Sequence, residues 1–210
     1  MSIVGGIVLC GGKSSRMGSP KALLPFGREV LLQRVVGVLR GVVEPVVVVA
    51  AADQELPELP DDILVARDEF EGQGPLAGLA TGLAALAGTV DAAYATATDV
   101  PLLRPAFVRR MISRWGEPAG TELAIPQEGR FYHPLAAVYG VSLEPVIRQM
   151  VLSNQLRPAA LREVARTVEV PVDELRDVDP ELESLLNCNT PEEYAAVCAR
   201  AGFPTDHPLG

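Results

Sequence analysis

The sequence over residues 3–21 reads IVGGIVLCGGKSSRMGSPK, and this stretch decides the fold. Its first part, residues 3–9, is an apolar run that predicts a buried strand, since both faces of such a strand must be covered. Glycines follow at once, at Gly11, Gly12 and Gly18, and glycine lets a backbone turn tightly and approach a ligand closely. The stretch therefore predicts a buried strand that ends in a glycine-rich binding loop.

The rest of the chain alternates predicted strands and helices. Strands are predicted at residues 46–51, 63–66, 92–98, 123–126, 135–139 and 166–171, and helices at residues 30–42, 75–87, 105–115, 143–152, 158–165 and 191–201. Alternation over the first 115 residues indicates a mostly parallel central sheet with helices on both faces, a Rossmann-like three-layer α/β/α sandwich. We expect one domain over residues 1–201 and a flexible tail over residues 202–210.

The bulk composition excludes several classes of protein. The 210 residues are 48% hydrophobic and 21% charged, which is typical of a globular domain. A net charge of −9 argues against a protein that binds long nucleic acids, because contacts to many phosphates need a surplus of Lys and Arg. The three cysteines form no C-x-x-C pair, and no apolar run approaches ~20 residues. We therefore expect a cytoplasmic protein without a membrane segment.

Positive charge is concentrated in the glycine-rich loop. Lys13, Arg16 and Lys21 lie within nine residues, and consecutive amides in such a turn form a concavity suited to phosphate. The loop is not a Walker A motif, and its glycines do not follow the G-x-G-x-x-G spacing of dinucleotide-binding proteins. A kinase or a dehydrogenase is therefore disfavoured. The alternative that remains is a basic surface turn without a ligand.

The motif Leu-x-Gly-Gly-x-x-Ser-Arg-Met-Gly-x-x-Lys-x-Leu-Leu-Pro resembles the signature of nucleotidyltransferases of the glycosyltransferase-A-like fold. Within that superfamily the chain is similar to the molybdenum cofactor guanylyltransferases. The resemblance implies that the loop wraps the triphosphate of GTP and that a lysine stabilises charge on the reacting phosphate. By resemblance these roles fall on Gly11, Gly12, Arg16 and Lys21, with Leu9 and Cys10 near the base.

Asp99 is the candidate metal ligand. It follows a predicted strand in the segment Thr98-Asp99-Val100-Pro101, and an acid at the carboxyl end of a strand beside a phosphate loop is well placed to hold Mg²⁺. A turn-capping aspartate before Pro101 is the simpler alternative. The resemblance implies the metal role, with Mn²⁺ as an alternative to Mg²⁺, and makes Lys21, Arg16 and Asp99 the catalytic residues.

A second glycine motif, Gly74-Pro75-Leu76-Ala77-Gly78, opens a predicted helix. It is either an ordinary loop-to-helix junction or a backbone surface against the base or ribose. The motif resembles the guanylyltransferases in particular, and the resemblance also implies that Asp68 binds the nucleotide. A carboxylate can accept hydrogen bonds from N1 and the 2-amino group of guanine, which gives it a means of selecting that base.

Three further residues are candidates for the acceptor side. His133 precedes Pro134, and the segment Asn187-Cys188-Asn189-Thr190-Pro191 resembles a family motif near the C-terminus. Thr190 or Asn189 also suits the cap of the helix that starts at Pro191. The resemblance implies acceptor contacts from His133, Asn187 and Asn189.

The expected substrates are GTP and molybdopterin, with other cofactor-biosynthesis proteins as candidate partners. The choice of base stays open. Pro20, and the lack of an Asn at residues 50–53, favour the related cytidylyltransferases, whereas Gly12 favours the guanylyltransferases. A sugar-phosphate nucleotidyltransferase is another alternative. A nucleotide-binding module without catalysis is the alternative from a different class.

Overall fold

The computed structural model describes residues 2–11, 20–70 and 72–203. Within these ranges the strands are β1 Val4–Leu9, β2 Pro25–Phe26, β3 Glu29–Val30, β4 Val46–Ala50, β5 Ile63–Arg67, β6 Ala92–Ala97, β7 Leu123–Glu128, β8 Phe131–Tyr132, β9 Ala137–Gly140 and β10 Thr167–Pro171. The α-helices are α1 Leu31–Arg40, α2 Pro75–Leu86, α3 Pro105–Gly116, α4 Glu144–Leu152 and α5 Pro191–Arg200. Short 3-10 helices lie between them, and none of the described helices is long and apolar enough to cross a bilayer.

The central sheet has the strand order β10-β7-β9-β6-β1-β4-β5, with β8 paired to the end of β7. The pairs β5–β4, β4–β1, β1–β6 and β7–β10 are parallel, while β9 runs antiparallel to both β6 and β7. After β1 the chain adds β4 and β5 on one side, and α2 then returns it to β6 on the other side. The strand order therefore reverses at β1 and β6, and such a reversal opens a crevice at the carboxyl ends of the strands.

Two buried layers enclose the sheet. On one face α1 and α3 supply Leu32, Val35, Leu39, Phe107 and Met111, which pack against alternate residues of the strands. On the other face α2 and α4 supply Leu76, Leu79, Leu83, Ile147 and Met150. The predicted three-layer sandwich with a mostly parallel sheet is confirmed. Strands covered on both faces need no polar face, which explains why β4 reads Val-Val-Val-Val-Ala.

Helix α2 lies unusually close to β1 because glycines face the strand. A Cβ atom on Gly82 would lie 2.7 Å from Cγ2 of Ile7, and one on Gly78 would lie 3.1 Å from Cδ2 of Leu9. Real Cβ atoms essentially never approach within 3.0 Å, so Gly82 is required by packing. The close approach places the N-terminus of α2 near the carboxyl ends of β1 and β5.

Helix α5 closes a third, smaller core. Tyr194, Val197 and Cys198 pack on Leu24, Phe26, Leu31 and Cys188, next to the β2–β3 hairpin. Thr190 caps the helix: its hydroxyl accepts a hydrogen bond from the Glu193 amide at 3.2 Å, and Glu193 reaches back to the Thr190 amide. This confirms the predicted cap and the start at Pro191.

The structure differs from the sequence expectations in three places. The sequence predicted an α-helix over residues 158–165, but Pro158–Glu163 forms a 3-10 helix. Leu161 is its one buried side chain, and so little buried apolar surface does not stabilise a short α-helix. The β2–β3 hairpin was not predicted, because its strands have two residues each. Of the tail predicted over residues 202–210, residues 204–210 lie outside the described residues, whereas Phe203 packs edge-on against Phe26 with ring centroids 5.0 Å apart.

Candidate active site

The candidate residues follow the carboxyl ends of four adjacent strands. Asp68 comes directly after β5, Ala51 after β4, Cys10 after β1, and Asp99 two residues after β6. Strands in a sheet lie about 4.8 Å apart, so the three spacings from β5 to β6 span about 14 Å. That length suits an extended nucleoside triphosphate, with its base at one end of the crevice and its phosphates at the other.

Lys21, Asp99 and Asn189 meet at the β6 end of this crevice. The Lys21 Nζ atom donates to Oδ2 of Asp99 at 2.9 Å and to Oδ1 of Asn189 at 2.7 Å. The Lys21 and Asp99 side chains are only 19% and 17% exposed, so solvent screens their attraction incompletely. The structure thus brings together a cation and an acid that are 78 residues apart in the chain.

Separate elements hold each member of this cluster. Lys21 begins a 3-10 helix, Lys21–Leu23, whose buried Ala22 anchors it. The backbone oxygen of Asp99 accepts a hydrogen bond from the Cys188 amide at 2.9 Å. The backbone amide of Asn189 donates to Oε2 of Glu193 at 2.7 Å. Hydrogen bonds from Cys188 and Asn189 therefore tie the segment before α5 both to Asp99 and to helix α5 itself.

The end of β1 is fixed by its neighbours. Leu9 accepts hydrogen bonds at its backbone oxygen from the amide and the hydroxyl of Thr98, at 3.1 and 3.2 Å. The amide of Cys10 donates to the backbone oxygen of Val49 at 2.8 Å. Burial raises the pKa of the Cys10 thiol, so the group is neutral and serves packing. Gly11 is the first exposed residue after β1, and Gly12 and Arg16, which follow it in the predicted site, lie outside the described residues.

Asp68 and the start of α2 form the β5 end of the crevice. Oδ1 of Asp68 accepts hydrogen bonds from the Phe70 amide at 2.9 Å and from the Thr81 hydroxyl at 3.5 Å. Gly74 precedes the helix with φ of +80°, a conformation that favours glycine, and Pro75 takes the first helical position. Both are exposed, whereas Leu76 and Gly78 of the same motif are buried and pack against the sheet. Only the first half of the second glycine motif is therefore open to a ligand.

The residues predicted for the acceptor side divide into two groups. His133 and Asn187 line one cleft of about 200 Å³, together with Tyr132, Leu135 and Leu185. Burial lowers the pKa of His133, although Glu128 lies 3.7 Å from its Nε2 atom and opposes the shift, so the imidazole is neutral at pH 7. Asn189 lies instead on Lys21.

Two residues that the sequence analysis missed brace the crevice. Gln54 hydrogen-bonds to Cys10 and Ala51, and Arg67 donates to the backbone oxygens of Ala51 and Gln54. Arg67 ends β5, and Gln54 lies four residues after β4. Arg67, at the carboxyl end of a parallel strand, could have been found by the rule that pointed to Asp99, whereas Gln54 lies four residues beyond its strand and carries no such signal.

Comparison with known proteins identifies relatives along most of the chain. The family description "MobA-like NTP transferase domain" matches residues 6–170. A probable molybdenum cofactor guanylyltransferase of Mycobacterium avium is 38% identical over 200 residues, which are 93% of this chain and 96% of that protein. The corresponding protein of Carboxydothermus hydrogenoformans is 35% identical over 191 residues, 89% of this chain and 91% of that protein.

Among solved structures, the molybdopterin-guanine dinucleotide biosynthesis protein A of Archaeoglobus fulgidus superposes with a TM-score of 0.78. The alignment covers 94% of this chain and 98% of that chain, at 24% sequence identity. At that identity the superposition is evidence for the fold alone.

Proposed function

The chain belongs to the MobA-like NTP transferase family, and from that premise we propose that it transfers GMP from GTP to molybdopterin. The terminal phosphate of the pterin would attack the α-phosphorus of GTP in line. The bond from the α-phosphorus to its bridging oxygen would break, and pyrophosphate would leave. The products are the guanine dinucleotide form of the cofactor and pyrophosphate. The observation that carries this proposal is the contact between Lys21 and Asp99 at the strand-order reversal.

The reaction makes modest demands on the protein. The attacking phosphate is already an anion, so no general base is required. Catalysis then consists of aligning the two phosphates and offsetting the charge that develops between them. Lys21 supplies positive charge at the phosphate end of the crevice, and Arg16 is proposed to add a second cation from the loop. The enzyme is a nucleotidyltransferase in which alignment of the two phosphates and electrostatic stabilisation account for catalysis.

The donor set at Asp99 fits a magnesium ion held mainly by substrate. Among the described residues no cluster of three or more His, Cys, Asp or Glu side chains could hold a metal on its own. Mg²⁺ typically binds through one or two carboxylates, substrate phosphates and waters, and Mn²⁺ accepts the same oxygen ligands. When bound, the metal would neutralise phosphate charge. Asp99 would hold it, and Lys21, now on the same carboxylate, would turn to the phosphates.

Asp68 is proposed to read the base. Both of its hydrogen bonds within the described residues go to Oδ1, which leaves Oδ2 for N1 and the 2-amino group of guanine. Cytosine offers no such pair of adjacent donors, so this carboxylate supports GTP over CTP. Leu9, Cys10 and Gly11 would form the wall between the base and the phosphates, and Gly74 and Pro75 would border the base.

The cleft that contains His133 and Asn187 is proposed to receive the acceptor. Its wall combines an aromatic ring, apolar side chains and a neutral imidazole, which suits a flat, polar heterocycle. The exposed amide of Asn187 can donate to and accept from such a ring. Asn189 would act at the phosphate end, through Lys21.

The test is a pyrophosphate-release assay with the full chain and each of the four nucleoside triphosphates, with and without molybdopterin. We expect release with GTP, molybdopterin and Mg²⁺ together, and none after chelation of the metal. Asp99→Ala should abolish turnover, while Asp173→Ala, at an aspartate whose side chain is 88% exposed, is the matched control. Turnover with molybdopterin and CTP, but not with molybdopterin and GTP, would assign the enzyme to the cytidylyltransferases. GTP binding without pyrophosphate release under any condition would indicate a non-catalytic module.

A further inference from the structure

The side-chain amide of Gln54 joins the carboxyl ends of β1 and β4. Its Nε2 atom donates to the backbone oxygen of Cys10 at 3.0 Å and to Sγ of the same residue at 3.2 Å. Its Oε1 atom accepts from the Ala51 amide at 3.2 Å. Both ends of the amide are therefore engaged by the protein, and the side chain is half-buried.

Arg67 extends this brace to the base end of the crevice. Its Nη1 atom donates to the backbone oxygens of Ala51 and Gln54, at 2.9 and 3.0 Å. The next residue, Asp68, donates its amide to the backbone oxygen of Ala50 at 2.8 Å. Hydrogen bonds, together with the peptide links between neighbouring residues, thus connect Cys10, beside the glycine-rich loop, with Asp68, whose carboxylate is proposed to read guanine.

We propose that Gln54 is a positioning residue for GTP, which sets the distance between the phosphate end and the base end of the crevice. If the chain binds GTP as proposed above, both ends of one ligand must be met at once, and a preformed spacing lowers the ordering cost of binding. Because both ends of the amide are occupied, Gln54 does not itself contact the base. Selection of guanine stays with Asp68.

Loss of the amide should weaken GTP binding and leave the chemical step unchanged. Gln54→Met keeps the length and approximate volume of the side chain and removes its three side-chain hydrogen bonds, so it separates hydrogen bonding from packing. Gln54→Glu keeps the acceptor for the Ala51 amide but places a carboxylate against the Cys10 carbonyl. We expect both variants to raise the KM and the Kd for GTP about tenfold, which corresponds to about 1.4 kcal/mol. The kcat at saturating GTP should stay within twofold of the wild type.

The experiment measures GTP binding by calorimetry with Mg²⁺, pyrophosphate release, and the melting temperature without nucleotide. Gln149→Ala is the control, because Gln149 is an exposed amide of α4 that hydrogen-bonds to Ser153 away from the crevice. A raised KM with unchanged kcat and unchanged melting temperature supports the positioning role. Unchanged GTP affinity in Gln54→Met, or a loss of kcat equal to the rise in KM, overturns it while the proposed function stands. A wild-type protein that binds no GTP removes the proposed function and this inference together.

Discussion

Replacing Lys21 by methionine keeps the length of the side chain and removes the charge that faces Asp99. The two charges are 2.9 Å apart, and at an effective dielectric constant of about 20 their direct attraction is about 6 kcal/mol. Both side chains are more than four-fifths buried, so desolvation offsets most of this gain. We expect a net coupling of about 1–2 kcal/mol between Lys21 and Asp99 in the protein without nucleotide.

A double-mutant cycle with Lys21→Met and Asp99→Asn isolates this coupling from the other contacts of each residue. The free energies of unfolding of the four proteins come from urea titrations at pH 7 and low salt. Because both residues are also proposed to act on GTP, Lys21→Met should lower kcat by about 10²–10³, the usual cost of losing one electrostatic donor. A coupling indistinguishable from zero, together with near wild-type turnover in Lys21→Met, would refute the assignment of the two residues to one site.

Four further predictions concern the framework of the site and its buried cysteines. Gly82→Ala should destabilise the protein by about 1–3 kcal/mol, because the added methyl group would clash with Ile7. Gly37→Ala in α1 is the control and should be neutral or stabilising, because the space around Gly37 is open. Chemical denaturation measures the free energy of unfolding of both variants. Thr190→Ala should cost about 1 kcal/mol in the same assay through loss of the α5 cap, and an unchanged midpoint would contradict the cap. Burial raises the pKa of Cys188 to about 12 and also raises the pKa values of Cys10 and Cys198, so the free energy of unfolding should fall as pH rises from about 9 towards 12. At pH 8 a thiol reagent should label the three cysteines only after unfolding, and rapid labelling of the folded protein would contradict their burial.

The fold was predictable because its decisive signals are local. The apolar runs that became β1, β4 and β6 are bounded by glycine, proline or aspartate, and their alternation with amphipathic helices admits few topologies. The antiparallel position of β9 between β6 and β7 has no such signal. It depends on which strands pair across the chain, and no short pattern encodes that choice.

The candidate site was predictable where its residues sit in short motifs and not where it depends on distant contacts. Lys21, Asp68 and Asp99 each follow a strand or loop with a recognisable pattern, so they could be named from the sequence. The contact of Asn189 with Lys21 joins residues 168 positions apart, and it follows from how α5 packs rather than from any spacing. Gln54 was missed because both ends of its amide serve backbone atoms, a role that leaves no motif.

The match to the family ends at residue 170, yet the partner that Lys21 finds in Asn189 lies 19 positions later. A protein shortened to the matched region would keep the glycine-rich segment and Asp99. It would lose Asn189, which accepts a hydrogen bond from Lys21, and the Cys188 amide, which donates to the backbone oxygen of Asp99. It would also lose helix α5, which covers Leu24, Phe26 and Leu31. Proteins truncated at residue 170 should therefore expose an apolar surface and aggregate. A stable, active truncation should extend at least to Phe203, because its ring packs on Phe26 of the β2–β3 hairpin.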